Sequence, residues 1–171
     1  MPKPIRCYDY VNQSYDKVCD ALRSNSNAVF HAATMSAEAR GGEVAAGLHV
    51  KIAGFDVSKD VEILVKYCSE IESKSINKMT IEFVWKAAEA SGLFPVMTAQ
   101  LDIYPITKTE TQLDFHGQYE PPLGVMGKAI DAVLGHRIAE ASVHQFLNEV
   151  AAYLRKSLTV LQDDPSVPVS D

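Results

Sequence analysis

The chain has 171 residues, 47% of them hydrophobic and 22% charged, and a formal net charge of −6. That is enough chain for one domain with a substantial core. The acidic balance argues against nucleic-acid binding, which wants a basic surface to meet phosphate, and no apolar run is long enough to cross a bilayer, so no integral membrane association is expected.

Met1-Pro2-Lys3-Pro4 carries no charged-then-apolar leader. It runs into an apolar-aromatic stretch, residues 5–11, that reads as a first strand. Residues 14–22 read as a helix, with Ser14 as N-cap and Val18, Ala21 and Leu22 as its apolar side. Asn25-Ser26-Asn27 breaks it, and residues 27–35 form a second short helix. Residues 36–42 are small and polar, end in Gly41-Gly42, and read as a loop without any phosphate-loop pattern. His31 lies between the short helices and this loop, on the surface or at a pocket entrance.

From Glu43 the period changes to two. Leu48, Val50 and Ile52 alternate with polar residues, and Gly54 is a turn candidate. Alternation returns at Val61, Ile63 and Val65, at Ile81, Phe83 and Trp85, at Met97, Ala99, Leu101 and Ile103, and at Thr111, Leu113, Phe115 and Tyr119. Residues 105–108 read as a turn. Such runs are antiparallel strands with one apolar and one wet face. Asp102, Asp114 and His116 fall on the wet face and are expected to be solvated. Gly117 marks either a bulge or a close backbone approach.

Residues 123–158 read as one long helix opening after Pro121-Pro122. At 100° per residue, Val125, Ala129, Ala132, Val133, Val143, Leu147, Val150, Ala151, Leu154 and Leu158 share a face. A stripe of that width needs a sheet to cover it. His136 and Glu140 interrupt its centre one turn apart, with Arg137 at the margin and His144 a turn further on. Buried ionisable groups need partners; Arg137 or a tyrosine hydroxyl from the sheet would serve. His136 and His144 are about 12 Å apart along a helix axis, too far to share one metal ion. No metal or other cofactor is expected. Residues 1–160 form a single domain in this reading, and 161–171 a frayed tail.

Cys7, Cys19 and Cys68 are odd in number and scattered, which fits reduced thiols in a cytoplasmic protein. The order of elements resembles the helix-grip superfamily of START domains, birch-pollen allergen proteins and polyketide cyclase/dehydratase-like proteins, often called SRPBCC. Trp85-Lys86-Ala87, Leu93-Phe94-Pro95, Thr111-Gln112-Leu113, residues 117–124 and Gly135-His136-Arg137 carry the likeness. It implies an α+β helix-grip fold: a curved antiparallel sheet of about six to seven strands around a long C-terminal helix, with two short helices after the first strand. It also implies a pocket between sheet and helix, and no shared catalytic motif of the superfamily maps onto this chain.

The expected pocket residues are Phe83, Trp85, Leu101, Phe115, Tyr119, His136, Arg137 and Glu140, a mainly apolar set with a few polar anchors. Three functions follow. The first is binding of a small hydrophobic molecule such as a lipid, polyketide or aromatic metabolite. The second is a cyclase- or dehydratase-type enzyme with His136 as acid/base and Glu140 orienting it. The third is a protein-interaction module with a filled core. A homodimer is compatible with each.

Overall fold

The computed structural model describes residues 2–47, 61–72, 77–87, 97–119 and 132–160. The elements are β1 (Lys3–Val11), α1 (Tyr15–Gly47), β2 (Val61–Glu72), β3 (Asn77–Ala87), β4 (Met97–Thr107), β5 (Glu110–Tyr119) and α2 (Ala132–Val160). The five described strands form one antiparallel sheet in the order β1-β5-β4-β3-β2. Strands β2 to β5 are a meander, and β1 returns to the outside of β5. Both helices contribute to a core whose other wall is one face of the sheet. The expected strand over residues 48–52, the opening of the long helix at Pro121-Pro122 and the tail lie outside the described residues.

The period-two pattern sets the inner face. Met79, Ile81 and Phe83 on β3, Met97, Ala99, Leu101 and Ile103 on β4, and Leu113, Phe115 and Tyr119 on β5 are all buried. Against them α2 presents Ala139, Val143, Phe146, Leu147, Val150, Ala151, Leu154 and Leu158, spaced as one helical stripe. Phe146 was not among the expected stripe residues, although it lies on the same face as Val143 and Val150. It meets Phe30 of α1, Phe83 of β3 and Phe115 of β5 at ring-centroid distances of 5.8, 5.7 and 6.1 Å. Phe30 and Phe83 are 5.5 Å apart, and Phe83 and Phe115 6.0 Å. These rings fill the middle of the space between sheet and helices.

Two local expectations need correction. The backbone does break at Asn25 (φ −137°, ψ 18°), but the second helical segment runs on to Gly47, through the expected loop at residues 36–42. Tertiary packing outweighs the weak propensity of its small and glycine residues. Val29, Phe30, Ala33 and Ala37 form a buried stripe. Ser36 is tied to α2: its hydroxyl donates to Glu149 Oε1 (3.2 Å) and accepts from Gln145 Nε2 (3.0 Å). The β4–β5 turn also lies later than expected, at Lys108-Thr109, because β4 continues past Pro105 through an irregular register. Proline is tolerated where the ladder is interrupted.

Gly117 sits in unbroken register with both Ile5 and Ala99, so it is a close approach and not a bulge. A Cβ there would lie 2.8 Å from both Met97 Sδ and Phe115 Cε1.

On the outer face Asp102 and Asp114, expected to be solvated, are buried. They stand directly opposite each other on β4 and β5, a like-charge pairing that needs compensation. Asp102 accepts from Thr80 Oγ1 (2.7 Å), Gln100 Nε2 (2.8 Å) and Lys78 Nζ (3.0 Å). Asp114 takes a two-pronged contact from Arg6 (2.8 and 3.3 Å). Long neighbours therefore shield the two carboxylates from water. Burial alone would raise the Asp102 carboxyl, but the hydrogen bonds from Thr80, Gln100 and Lys78 outweigh it and hold the group below its ordinary value.

At its other edge β1 has no strand partner among the described residues. The Tyr10 amide turns to Asp9 Oδ1 (2.7 Å), and Arg155 of α2 donates to Tyr10 O and to Asp9 Oδ1 (2.7 Å). The Tyr10 peptide groups thus face away from β5, and by alternation so do those of Tyr8, Arg6 and Pro4.

Truncating Phe146 to alanine is expected to cost about 3–5 kcal/mol of unfolding free energy in urea titrations, as for other fully buried aromatic rings. Thr80→Val is expected to lower stability by about 1–2 kcal/mol at neutral pH. Because Asp102 is held low in the folded state, its contribution is present above the unfolded carboxyl value and is lost as pH falls through the folded one. The gap between Thr80→Val and the parent chain should therefore narrow in acid, as read by unfolding at several pH values.

Candidate functional site

The expected pocket residues divide into two groups. Phe83, Leu101 and Phe115 are sealed in the packed core with almost no accessible surface. Tyr119, His136 and Glu140 come together at one end of it. Arg137 is exposed on α2. The Trp85 side chain lies outside the described residues, but its backbone register is defined: Trp85 pairs with Met97, and Met97 with Tyr119. These three share a cross-strand row at the end of the sheet.

Alternation places Tyr119, the last residue of β5, on the inner face behind Phe115. The start of α2 brings His136 over it, and the i,i+4 spacing adds Glu140. Tyr119 Oη lies 3.0 Å from His136 Nδ1. His136 Nε2 lies 3.1 Å from Glu140 Oε1. The Tyr119 and His136 rings are nearly parallel, at 16° with centroids 6.0 Å apart. The tyrosine hydroxyl from the sheet is thus the partner that meets His136.

A carboxylate can only accept, so Nε2 of His136 carries the hydrogen facing Glu140. Toward Tyr119, Nδ1 accepts from the hydroxyl when the ring is neutral and donates to it when the ring is an imidazolium. Burial, and after it the nearby Glu140 carboxylate, push the Tyr119 phenol above its ordinary value. The phenol therefore keeps its proton.

His136 and Glu140 were expected at the centre of a buried face. Their side chains are instead 36% and 49% exposed. Their angular position is as the spacing requires, but they lie near the described start of α2, opposite the residue where β5 stops. Water reaches both. His144 is exposed and lines a separate surface pocket of about 370 Å³ with Tyr8, Asp9 and Arg40, so it does not converge with His136 and Glu140.

Such a constellation offers two things: an oriented polar anchor at the rim of an apolar interface, and a base held by a third group, as acid/base chemistry needs. Neither described cysteine adds a nucleophile. Burial pushes the Cys7 thiol up to about 12 and the Cys19 thiol up to about 11, the opposite of an activated thiolate.

No family model matches the chain, and no curated protein matches it. Among solved structures it is similar to a conserved protein from Geobacillus kaustophilus, with a TM-score of 0.52 and 13% identity over 91% of this chain and 97% of that one. The Zhui aromatase/cyclase from Streptomyces sp. R1128 follows with a TM-score of 0.45 and 13% identity over 92% and 96%. A START superfamily protein from Mycobacterium smegmatis gives 0.47 and 10% over 90% and 98%. At these identities the likeness concerns the fold. With its element order, its antiparallel sheet and its long C-terminal helix, the chain has a helix-grip fold.

Proposed function

We propose that the chain binds a small, mainly apolar molecule at the Tyr119–His136 end of the sheet–helix interface. The observation that carries this is the Tyr119–His136–Glu140 hydrogen-bond chain, which caps an otherwise apolar inner face. An apolar surface with a few convergent polar groups is the usual composition of a small-molecule site. The row of Met97 and Trp85 beside Tyr119 supplies apolar residue types at the same end. The middle of the interface is taken by Phe30, Phe83, Phe115 and Phe146, so the ligand sits beyond them and not among them. Lipids, polyketides and other aromatic metabolites have the required character. The free, buried Cys7 and Cys19 fit a cytoplasmic setting.

A second reading, turnover of the bound molecule, is favoured by the same geometry. His136 is oriented by Glu140 and contacts a phenol, as an acid/base residue of a cyclase- or dehydratase-type enzyme would be. The filled phenylalanine cluster favours the third, a module that binds partners and holds no ligand.

Native mass spectrometry of the freshly purified protein, with organic extraction of whatever is released, is expected to find a reproducible bound apolar compound. A clean apo mass that persists after incubation with fatty acids and aromatic polyketides would favour the partner module. His136→Ala is expected to weaken ligand binding about tenfold, the worth of roughly one hydrogen bond, while the melting temperature changes little. If that variant keeps its affinity and loses turnover of a bound substrate, the acid/base reading stands instead.

A further inference from the structure

We infer that the outer face of the sheet carries a second site, for a linear zwitterion of dipeptide length, with the ligand carboxylate on Arg6 and the ligand ammonium on Glu82. This site lies across the sheet from Tyr119 and His136 and does not depend on what binds there.

Outward side chains stand in rows where the strands run side by side. One row is Arg6, His116, Gln100 and Glu82, on β1, β5, β4 and β3 in turn. The next is Pro4, Gln118 and Thr98. Between them the row of Ile5, Gly117 and Ala99 faces inward and leaves bare backbone as a floor. Together they form an open trough of about 420 Å³, within the range of small-molecule sites.

The long row changes character from one end to the other. Arg6 engages Asp114 through Nε (3.3 Å) and Nη2 (2.8 Å). Its Nη1 makes no hydrogen bond among the described residues, and the side chain is 67% exposed. His116 stands beside it, with Nε2 3.3 Å from the same Asp114 carboxylate. Gln100 donates through Nε2 to Asp102 (2.8 Å). A carboxylate only accepts, so that contact orients the amide and leaves its oxygen as an acceptor. At the far end Glu82 has no ion pair or side-chain hydrogen bond among the described residues.

Arg6 matches the charge of Asp114, so Glu82 is the unmatched charge among the described lining residues. An ammonium complements it, with the Gln100 oxygen as a second acceptor. At the other end the open edge of a guanidinium takes a carboxylate better than a neutral carbonyl. Length follows from the sheet. The Arg6 fork leans over β5, where Asp114 lies, and Glu82 stands on β3. Two strand spacings separate these positions by about 10 Å. Contacts of about 3 Å at each end leave a ligand span of about 4 Å end-on, and up to about 10 Å if the ligand is gripped from above. An extended dipeptide spans about 7 Å, and a free amino acid falls short. The peptide group in the middle would lie beside Thr98 and Gln118, whose side chains also make no hydrogen bond among the described residues.

The test titrates five probes into the full nitrogen-15-labelled chain and follows backbone amide shifts: alanyl-alanine, its N-acetyl form, its C-terminal amide, alanine and glucose. Alanyl-alanine is expected to shift the amides of Thr98, Gln100, His116 and Gly117 with a dissociation constant of about 1 mM, as exposed ion pairs allow. Blocking either end, or shortening the probe to alanine, should weaken binding at least about threefold. Glu82→Gln, checked for folding by circular dichroism, should weaken alanyl-alanine by a similar factor and leave the N-acetyl form unchanged. Equal binding of the free and blocked forms overturns the inference, as does alanine binding as tightly as alanyl-alanine. So does an unchanged affinity for alanyl-alanine in Glu82→Gln. Tighter binding of glucose would make the trough a site for neutral polyols and overturn the zwitterion. Shifts confined to other residues, or no shifts at all, remove the site, and the reading at Tyr119 and His136 stands or falls separately.

Discussion

Four phenylalanine rings, from α1, β3, β5 and α2, decide where the two helices lie on the sheet. Each is buried, and each touches at least two of the others. Burial of a ring of this size contributes about 2–3 kcal/mol, and each well-placed ring pair about 0.5–1.5 kcal/mol more. The cluster also sets a ruler. From Phe146 back to His136 is about 15 Å along the α2 axis. From Phe115 forward to Tyr119 is about 13 Å along β5. The two spans nearly match, so fixing Phe146 on Phe115 brings His136 over Tyr119. The polar contact is a consequence of the apolar one.

This accounts for the mixed character of the site. Its ring positions are rigid because they hang from a close-packed cluster. Its accessibility comes from lying just past the end of that cluster. A hydrogen-bonded group in the middle of the interface would need complete internal satisfaction. At the end, solvent reaches His136 and Glu140.

Much of this was legible in the residues and some was not. Strict alternation in β3, β4 and β5 marked the inner face, because one buried face leaves a period of two with no ambiguity. The break at Asn25 was legible from its run of turn-forming residues. The helix over residues 36–42 was not, since glycine and small polar side chains signal a loop locally, whereas the buried Ala37 and the contact of Ser36 with Gln145 and Glu149 of α2 are tertiary. Nor was the burial of Asp102 and Asp114, which depends on register between strands and on neighbours such as Arg6 and Lys78. His136 and Glu140 were placed correctly around the helix and wrongly in depth. An angular pattern says which way a side chain points, not where the opposing surface ends.

The outer edge of β1 carries a consequence for the behaviour of many copies together. A strand edge with unspent amides and carbonyls invites neighbours to add their own strands, and from there a sheet can grow from molecule to molecule. Here Pro4 brings no amide to one end of that edge, and Arg155 already occupies the Tyr10 carbonyl at the other. Between them, among the described residues, Arg6 and Tyr8 offer their peptide groups outward. Two residues are a shorter register than strands in globular proteins normally use. Along the described β1 edge that register is too short for a ready zipper, and a newcomer would first have to pry the Arg155 guanidinium from two acceptors.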